Sequence, residues 1–233
     1  AAATVFVNGV WDRTGWVLGL HTPMGEATCR LALAGQHNVA NAAAATACAL
    51  AAGCPLTAVI QGLSDFKAVK GRSRTNTLIR NGAPLALIDD TYNANPDSMH
   101  AAIEVLATLP KPRWLVMGDM GEVGSKGPEF HYEVGAYAAE RGIGHLWALG
   151  EQTQASVHGF NEFNGRIGSS NAAIHFETID ALNARAANVV DLFSEGASAS
   201  QPYAVLVKGS RFMRMERVVA ALKDTLAEVK ACS

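Results

Sequence analysis

The chain has 233 residues, of which 49% are hydrophobic and 17% charged, so it reads as globular, as one large domain or as one domain with part of another. Its formal net charge of -2 supplies no basic field of the kind that nucleic acid or an anionic membrane surface would need, and neither partner is expected. No apolar run reaches the roughly 18 residues of a membrane span and no basic segment leads into an apolar signal region, so a cytoplasmic location is expected.

The first residues, Ala1-Ala2-Ala3-Thr4-Val5-Phe6-Val7, enter strand-like sequence with no initiator Met and no helix start, which suggests a piece cut from within a longer chain. Up to Leu33 the pattern is short and β-rich, with strands predicted over 4–7, 16–21 and 27–33 and a turn at Thr22-Pro23-Met24-Gly25. These make a small antiparallel sheet. After Gly35 a helix of low-volume residues is predicted over 38–52, stopped by Gly53 and Pro55, and a second helix over 57–63. The basic, weakly periodic stretch Lys67-Ala68-Val69-Lys70-Gly71-Arg72-Ser73-Arg74 predicts a loop, with a domain boundary near residue 83. The four cysteines, Cys29, Cys48, Cys54 and Cys232, form no C-x-x-C pair, and free thiols in a reducing compartment are expected.

From Pro84 onward apolar strands predicted over 85–89, 114–118, 145–149, 173–176 and 203–207 alternate with helices over 96–109, 128–141, 152–160, 179–193 and 212–229. Continuous apolar strands separated by helix-length segments predict an α/β fold, an open and mostly parallel Rossmann-like sheet covered by helices on both faces. Stretches 161–171 and 195–201 read as loops without a chemical signal. Such sheets bind ligands beyond the C-terminal strand ends, which directs attention to the loops after Asp90, Gly118, Gly150 and Val207.

Four constellations stand out. In Gly35-Gln36-His37-Asn38-Val39-Ala40-Asn41, Asn38 reads as an N-cap with Asn41 one turn in; an Asn offers the donor and acceptor that the edge of adenine needs, although taken alone such a pattern is more often a structural cap. In Asp89-Asp90-Thr91-Tyr92-Asn93-Ala94-Asn95-Pro96-Asp97-Ser98, Asn95 as N-cap with Pro96 at the first helical position accounts for part. The two carboxylates, Tyr92 and Asn93 are left at a strand end, where an Asp is a natural partner for ribose hydroxyls. In Lys208-Gly209-Ser210-Arg211-Phe212-Met213-Arg214, cations at a helix N-terminus oppose its dipole at a few tenths of a kcal/mol each. They call for an anion, either a carboxylate or phosphate ligand or an Asp or Glu of the fold itself. In Gly118-Asp119-Met120-Gly121-Glu122-Val123-Gly124 the glycines permit close backbone approach.

Arg72 is placed to reach a phosphate from the interdomain loop. His21, His100, His131, His145, His158 and His175 share no metal-ligand spacing and read as surface or satisfied core residues, so no metal site is expected. There is no G-x-x-x-x-G-K-[ST] loop, since Gly121 to Gly127 holds Lys126 in the wrong order, and the chain alone is not expected to hydrolyse ATP.

These constellations, in this order and over essentially all 233 residues, resemble the Mur ligases. The likeness rests on Gly35 to Asn41, Lys70-Gly71-Arg72, Asp89 to Met99, Gly118 to Gly124 and Lys208 to Arg211. The Tyr92 to Met99 string is its most specific part and resembles the family type with a dipeptide substrate. The resemblance implies an ATP-dependent ligase that adds D-alanyl-D-alanine to UDP-N-acetylmuramoyl-tripeptide through an acyl phosphate in bacterial peptidoglycan synthesis, with ATP and Mg²⁺ as cofactors and a monomeric state. Residues 1–83 would be the tail of the central ATP-binding domain and 84–233 the domain that closes over the substrates, swinging about 70–83. His37, Asn38 and Asn41 would bind the nucleotide, with the two asparagines at adenine, Arg72 at the phosphates and Asp90 at the ribose. Tyr92, Asn93, Asn95, Ser98, Lys208, Ser210 and Arg211 would line the cleft near the dipeptide, Arg72 and Lys208 being the catalytic cations. The phosphate loop and most Mg²⁺ ligands belong to a part of the family's central domain that this sequence lacks, so this piece alone is expected to be inactive. Alternative readings are another Mur-type or folylpolyglutamate ligase, or a non-catalytic α/β module whose Asp90 and Lys208 loops serve a small ligand or partner.

Overall fold

A computed structural model describes residues 5–12, 15–33, 35–67, 71–80, 83–187, 203–225 and 227–228. The expectations that fall on residues 1–4, 68–70, 188–201 and 229, and on Cys232, lie outside them. The chain forms two compact units, residues 1–69 and 70–233.

In the first unit, β1 (Phe6–Trp11), β2 (Trp16–Thr22) and β3 (Gly25–Leu31) form an antiparallel meander, its second turn opened by Gly25 at φ 115°. Period-two alternation turns Leu18, Leu20, Cys29 and Leu31 to one face, where Ala42 of α1 (His37–Ala51) packs against them. Alanine-rich sequence favours helix, and α1 ends before Gly53, which has φ 87°, and Pro55, which leads into α2 (Leu56–Asp65).

The second unit is built on β4 (Arg74–Arg80), β5 (Ala83–Asp90), β6 (Arg113–Gly118), β7 (His145–Leu149), β8 (Ala172–Phe176), β9 (Tyr203–Lys208) and β10 (Ala227–Glu228). They stand in the order β10-β4-β5-β9-β6-β7-β8; β5 through β8 in that order are parallel, β4 is antiparallel to β5, and β10 is antiparallel to β4. The intervening helices are α3 (Pro96–Ala107), α4 (Gly127–Glu140), α5 (Thr153–Arg166), α6 (Ile179–Ala187) and α7 (Glu216–Thr225).

Alternate strand residues supply two cores. Ile88, Leu115, Met117, Leu146 and Leu206 pack with Ile103, Val134 and Phe160 of α3, α4 and α5. Leu87, Val116, Trp147, Val205 and Val207 pack with Leu182, Val218 and Leu222 of α6 and α7 on the opposite face. Both faces are covered, which is why these strands read as unbroken apolar runs. Helices α4 and α5 cross closely through glycines: a Cβ on Gly135 would fall 1.9 Å from the Ser156 carbonyl oxygen, and one on Gly159 2.3 Å from that of Tyr132.

Three local expectations change. The loop expected to run through Arg74 ends there in β4, so the middle of the expected hinge is sheet and the second unit begins at Lys70, upstream of residue 83. Asn76 and Leu78 point inward while Thr75 and Thr77 face out, the mark of a strand with one solvated face. Helix α5 runs on to Arg166 through the expected loop, with Asn164 buried and donating to the Phe160 carbonyl at 3.0 Å. Helix α7 starts at Glu216, because Arg211–Met213 form a 3₁₀ turn and Arg214 adopts a left-handed φ of 51°. Among the described residues no helix is long and apolar enough to cross a membrane.

Candidate functional site

The sheet register builds the centre of the second unit's site. On the parallel neighbours β5 and β9, Asp90 stands opposite Lys208, so their side chains leave the C-terminal strand ends together. The Lys208 ammonium donates to Asp90 Oδ2 at 2.6 Å and to the Asn93 carbonyl at 2.9 Å. Only 4% of the Lys208 side chain and 15% of that of Asp90 are exposed. Asp90 Oδ1 accepts from the Ser73 backbone N–H at 2.8 Å and from its hydroxyl at 3.1 Å. A carboxylate accepts about four hydrogen bonds; the described residues take three, and among them one place stays open on Oδ2.

The anion called for by the cations after β9 is therefore, for Lys208, an Asp of the fold. Arg211 lies 3.5 Å from Glu216 Oε1, a long contact, and among the described residues no carboxylate pairs with Arg214.

Ser210 ties three loops together. Its buried hydroxyl donates to the Ala94 carbonyl at 3.0 Å and accepts from the Gly121 N–H at 2.5 Å, while its own N–H donates to the Asp119 carbonyl at 3.0 Å. Asn95 and Ser98 close a capping box on α3, Ser98 N–H donating to Asn95 Oδ1 at 2.8 Å and Asn95 N–H to Ser98 Oγ at 3.0 Å. The side chain of Asp89 takes the Thr91 hydroxyl at 2.7 Å. The Tyr92 N–H reaches the Gly71 carbonyl at 2.8 Å, and the Arg72 guanidinium lies 4.1 Å from the centre of the Tyr92 ring, a cation–π contact. Arg72 thus belongs with the second unit, beside Tyr92. Among the described residues it meets no carboxylate.

The glycine-containing loop after β6 is fixed from below. His131 is fully buried; its Nε2 accepts from the Met120 N–H at 2.9 Å, so the proton sits on Nδ1, which donates to the Gly127 carbonyl at 2.7 Å. Burial pushes the Asp119 carboxyl above its ordinary value, opposed by the Thr153 N–H at the start of α5, which it accepts at 3.0 Å.

These loops enclose an open cleft of about 510 Å³. Asn93, Gly121, Ser210 and Arg211 line it, with Glu122, Phe212, Arg214 and Glu216. Glu122 at φ 59° and Arg214 at φ 51° are left-handed without being glycine, as is Ser73 at φ 49° beside Asp90. Each such backbone costs on the order of 1 kcal/mol and persists only where its surroundings hold it. Glu216 Oε2 is buried at the cleft wall with no hydrogen-bond partner among the described residues.

In the first unit α1 begins at His37 with Gln36 at the cap position, so Asn38 lies inside the first turn. Gly35 at φ 94° starts the turn early, and the Asn38 N–H already bonds the Gly35 carbonyl at 3.1 Å. Asn38 is 8% exposed, and the exposed Asn41 donates to its Oδ1 at 3.1 Å. His37 is exposed at the same helix end.

The register thus assembles Asp90, Tyr92, Asn93, Lys208, Ser210 and Arg211 with Arg72, while Asn95 and Ser98 are engaged in capping. Ser73 and Glu216 escaped the sequence as site residues, and Glu122 stood out only as part of its glycine-containing loop. Among the described residues no cluster of His, Cys, Asp and Glu is placed to hold a metal ion.

Residues 73–211 match the family described as Mur ligase, glutamate ligase domain. A UDP-N-acetylmuramoyl-tripeptide–D-alanyl-D-alanine ligase of Escherichia coli is 38% identical over 205 residues, covering 88% of this chain and 41% of that protein. The protein of the same name from Haemophilus influenzae is 36% identical over 216 residues, covering 91% of this chain and 43% of its own length. A crystal structure of MurF from Acinetobacter baumannii superposes with a TM-score of 0.79 at 35% identity, covering 96% of this chain and 46% of that one. The chain spans less than half the length of the relatives it matches.

Proposed function

This chain belongs to the Mur ligase family, and from that premise we propose that it is the C-terminal portion of an ATP-dependent ligase that adds D-alanyl-D-alanine to UDP-N-acetylmuramoyl-tripeptide in peptidoglycan synthesis. The observation that carries the reading is the cleft beyond β5, β6 and β9, where Asn93, Ser210 and Arg211 come together. Its cations Arg211 and Arg214 suit the carboxylate end of a short peptide, exposed Phe212 suits small apolar side chains, and Glu122 and Glu216 suit its amino end.

In the proposed reaction a carboxylate oxygen of the tripeptide bonds to the terminal phosphorus of ATP, the bond from that phosphorus to the bridging oxygen breaks, and ADP leaves with the electron pair. The neutral amine of D-alanyl-D-alanine then attacks the acyl carbon, the C–N bond forms, the acyl C–O bond breaks, phosphate leaves with its electron pair, and the nitrogen gives up one proton, which balances as hydrogen phosphate. Arg72, free of any carboxylate among the described residues, offsets charge on the transferred group. The open position on Asp90 Oδ2 suits one ribose hydroxyl, and exposed Asn41 beside Asn38 suits the edge of adenine. The described residues alone do not fit a Mg²⁺ site. This reading makes the protein cytoplasmic, where ATP is available.

The test is ATP-dependent phosphate release by the complete polypeptide that carries this chain, with UDP-N-acetylmuramoyl-tripeptide and a panel of amines. D-alanyl-D-alanine should exceed D-alanine and L-glutamate by about 100-fold or more in kcat/KM. Equal turnover with glutamate would transfer the protein to a sister activity.

A further inference from the structure

Lys208 combines a charge with near-complete burial: it is 3% exposed, and two of its three N–H donors are spent on Asp90 and Asn93. A substrate would have to dislodge it to touch it. Its two acceptors flank a single contact. Asp90 holds Ser73, the residue after Arg72, and Asn93 follows Tyr92. The ammonium therefore fixes both sides of the Arg72–Tyr92 stack, whose centre-to-ring distance is 4.1 Å.

We propose that Lys208 is a positioning residue, which acts through Asp90, Ser73 and the Asn93 carbonyl to hold the Arg72 guanidinium on the face of Tyr92. This rests on the ligase reading only for what Arg72 does, and not for how it is held. Ser73 supports the assignment, since its left-handed φ of 49° needs external bonds to persist, and the two to Asp90 are those bonds. Arg72 is exposed and lacks a carboxylate among the described residues, so the ring and the anchored backbone beside it set its place.

The experiment follows the Arg72 Nε–H resonance, displaced by the Tyr92 ring, by NMR in the 233-residue chain. In Lys208→Met it should move toward the position of a free arginine, and in Lys208→Arg it should stay near the parent position. Unchanged amide resonances of β6 and β7 would establish that the sheet is intact. If Lys208→Met fails to fold, Ser73→Ala decides: the resonance should shift there too, and one that stays put overturns the proposal. In the complete polypeptide Lys208→Met should lower kcat about ten-fold or more while the KM for D-alanyl-D-alanine changes less than about two-fold. A dipeptide KM raised about ten-fold, with the Arg72 resonance unmoved, would make Lys208 a substrate ligand and overturn the proposal. Should no amine support ATP-dependent turnover, the ligase reading fails and the resonance alone decides the positioning role.

Discussion

Replacing Asp90 by Asn leaves the shape of the site almost unchanged but removes the charge that answers a buried cation. The new amide can still accept from Ser73, yet its NH₂ faces the Lys208 ammonium where Oδ2 stood at 2.6 Å, donor against donor. Breaking a buried pair from one side costs about 3–5 kcal/mol. With 15% of the Asp90 side chain exposed, the lower end applies, about 3 kcal/mol. Native-state hydrogen exchange of the slowest amides in β5, β6 and β9 reads the second unit alone, and about 3 kcal/mol is roughly a 150-fold acceleration. Adding Lys208→Met removes the stranded charge and should recover about 2 kcal/mol, because an apolar replacement of a whole buried pair is often neutral. Less than a ten-fold acceleration in Asp90→Asn, or a double variant weaker than the single one, would refute this account of the pair.

Four further outcomes are expected. Gly135→Ala drives a Cβ into the Ser156 carbonyl and should destabilise by about 2–3 kcal/mol, seen as a fall of about 4–12 °C in Tm; an unchanged Tm would mean that α4 and α5 separate freely. Asn95→Ala should cost about 1 kcal/mol, and adding Ser98→Ala much less than the sum, because one capping box is lost in both; additive losses in unfolding experiments would contradict a shared box. Burial raises Asp119, so its folded state holds the proton more readily and its contribution to stability declines as pH rises from about 3.8 through the raised value. Asp119→Asn should therefore gain on the parent as pH rises above about 3.8, and an unchanged difference between their urea-unfolding curves across that rise would count against it. In the complete polypeptide Arg211→Ala should raise the KM for D-alanyl-D-alanine about ten-fold with little change in kcat, and the reverse pattern would remove Arg211 from dipeptide binding.

Much of the second unit was legible because its chemistry is local. Covered parallel strands must be apolar throughout, and Asn95-Pro96 with Ser98 announces a helix start in four residues. The pairing of Asp90 with Lys208, 118 positions apart, was not, since it depends on β9 inserting between β5 and β6. Each residue was singled out, but the anion for one and the cation for the other were not visible as partners. Strand β4 was missed because a strand with one solvated face, flanked on its outer side only by the two-residue β10, shows only Asn76 and Leu78 turned inward. Asn38 was displaced from the cap by the backbone of Gly35, and Ser73 carries no sequence signal because its left-handed backbone is held by Asp90.

The most direct measurement is a crystal structure of the complete polypeptide with D-alanyl-D-alanine and a non-hydrolysable ATP analogue. Density for the dipeptide should fill the cleft bordered by Asn93, Ser210 and Arg211, with its carboxylate within hydrogen-bond reach of Arg211 or Arg214. A dipeptide bound elsewhere while that cleft holds only solvent would contradict the account.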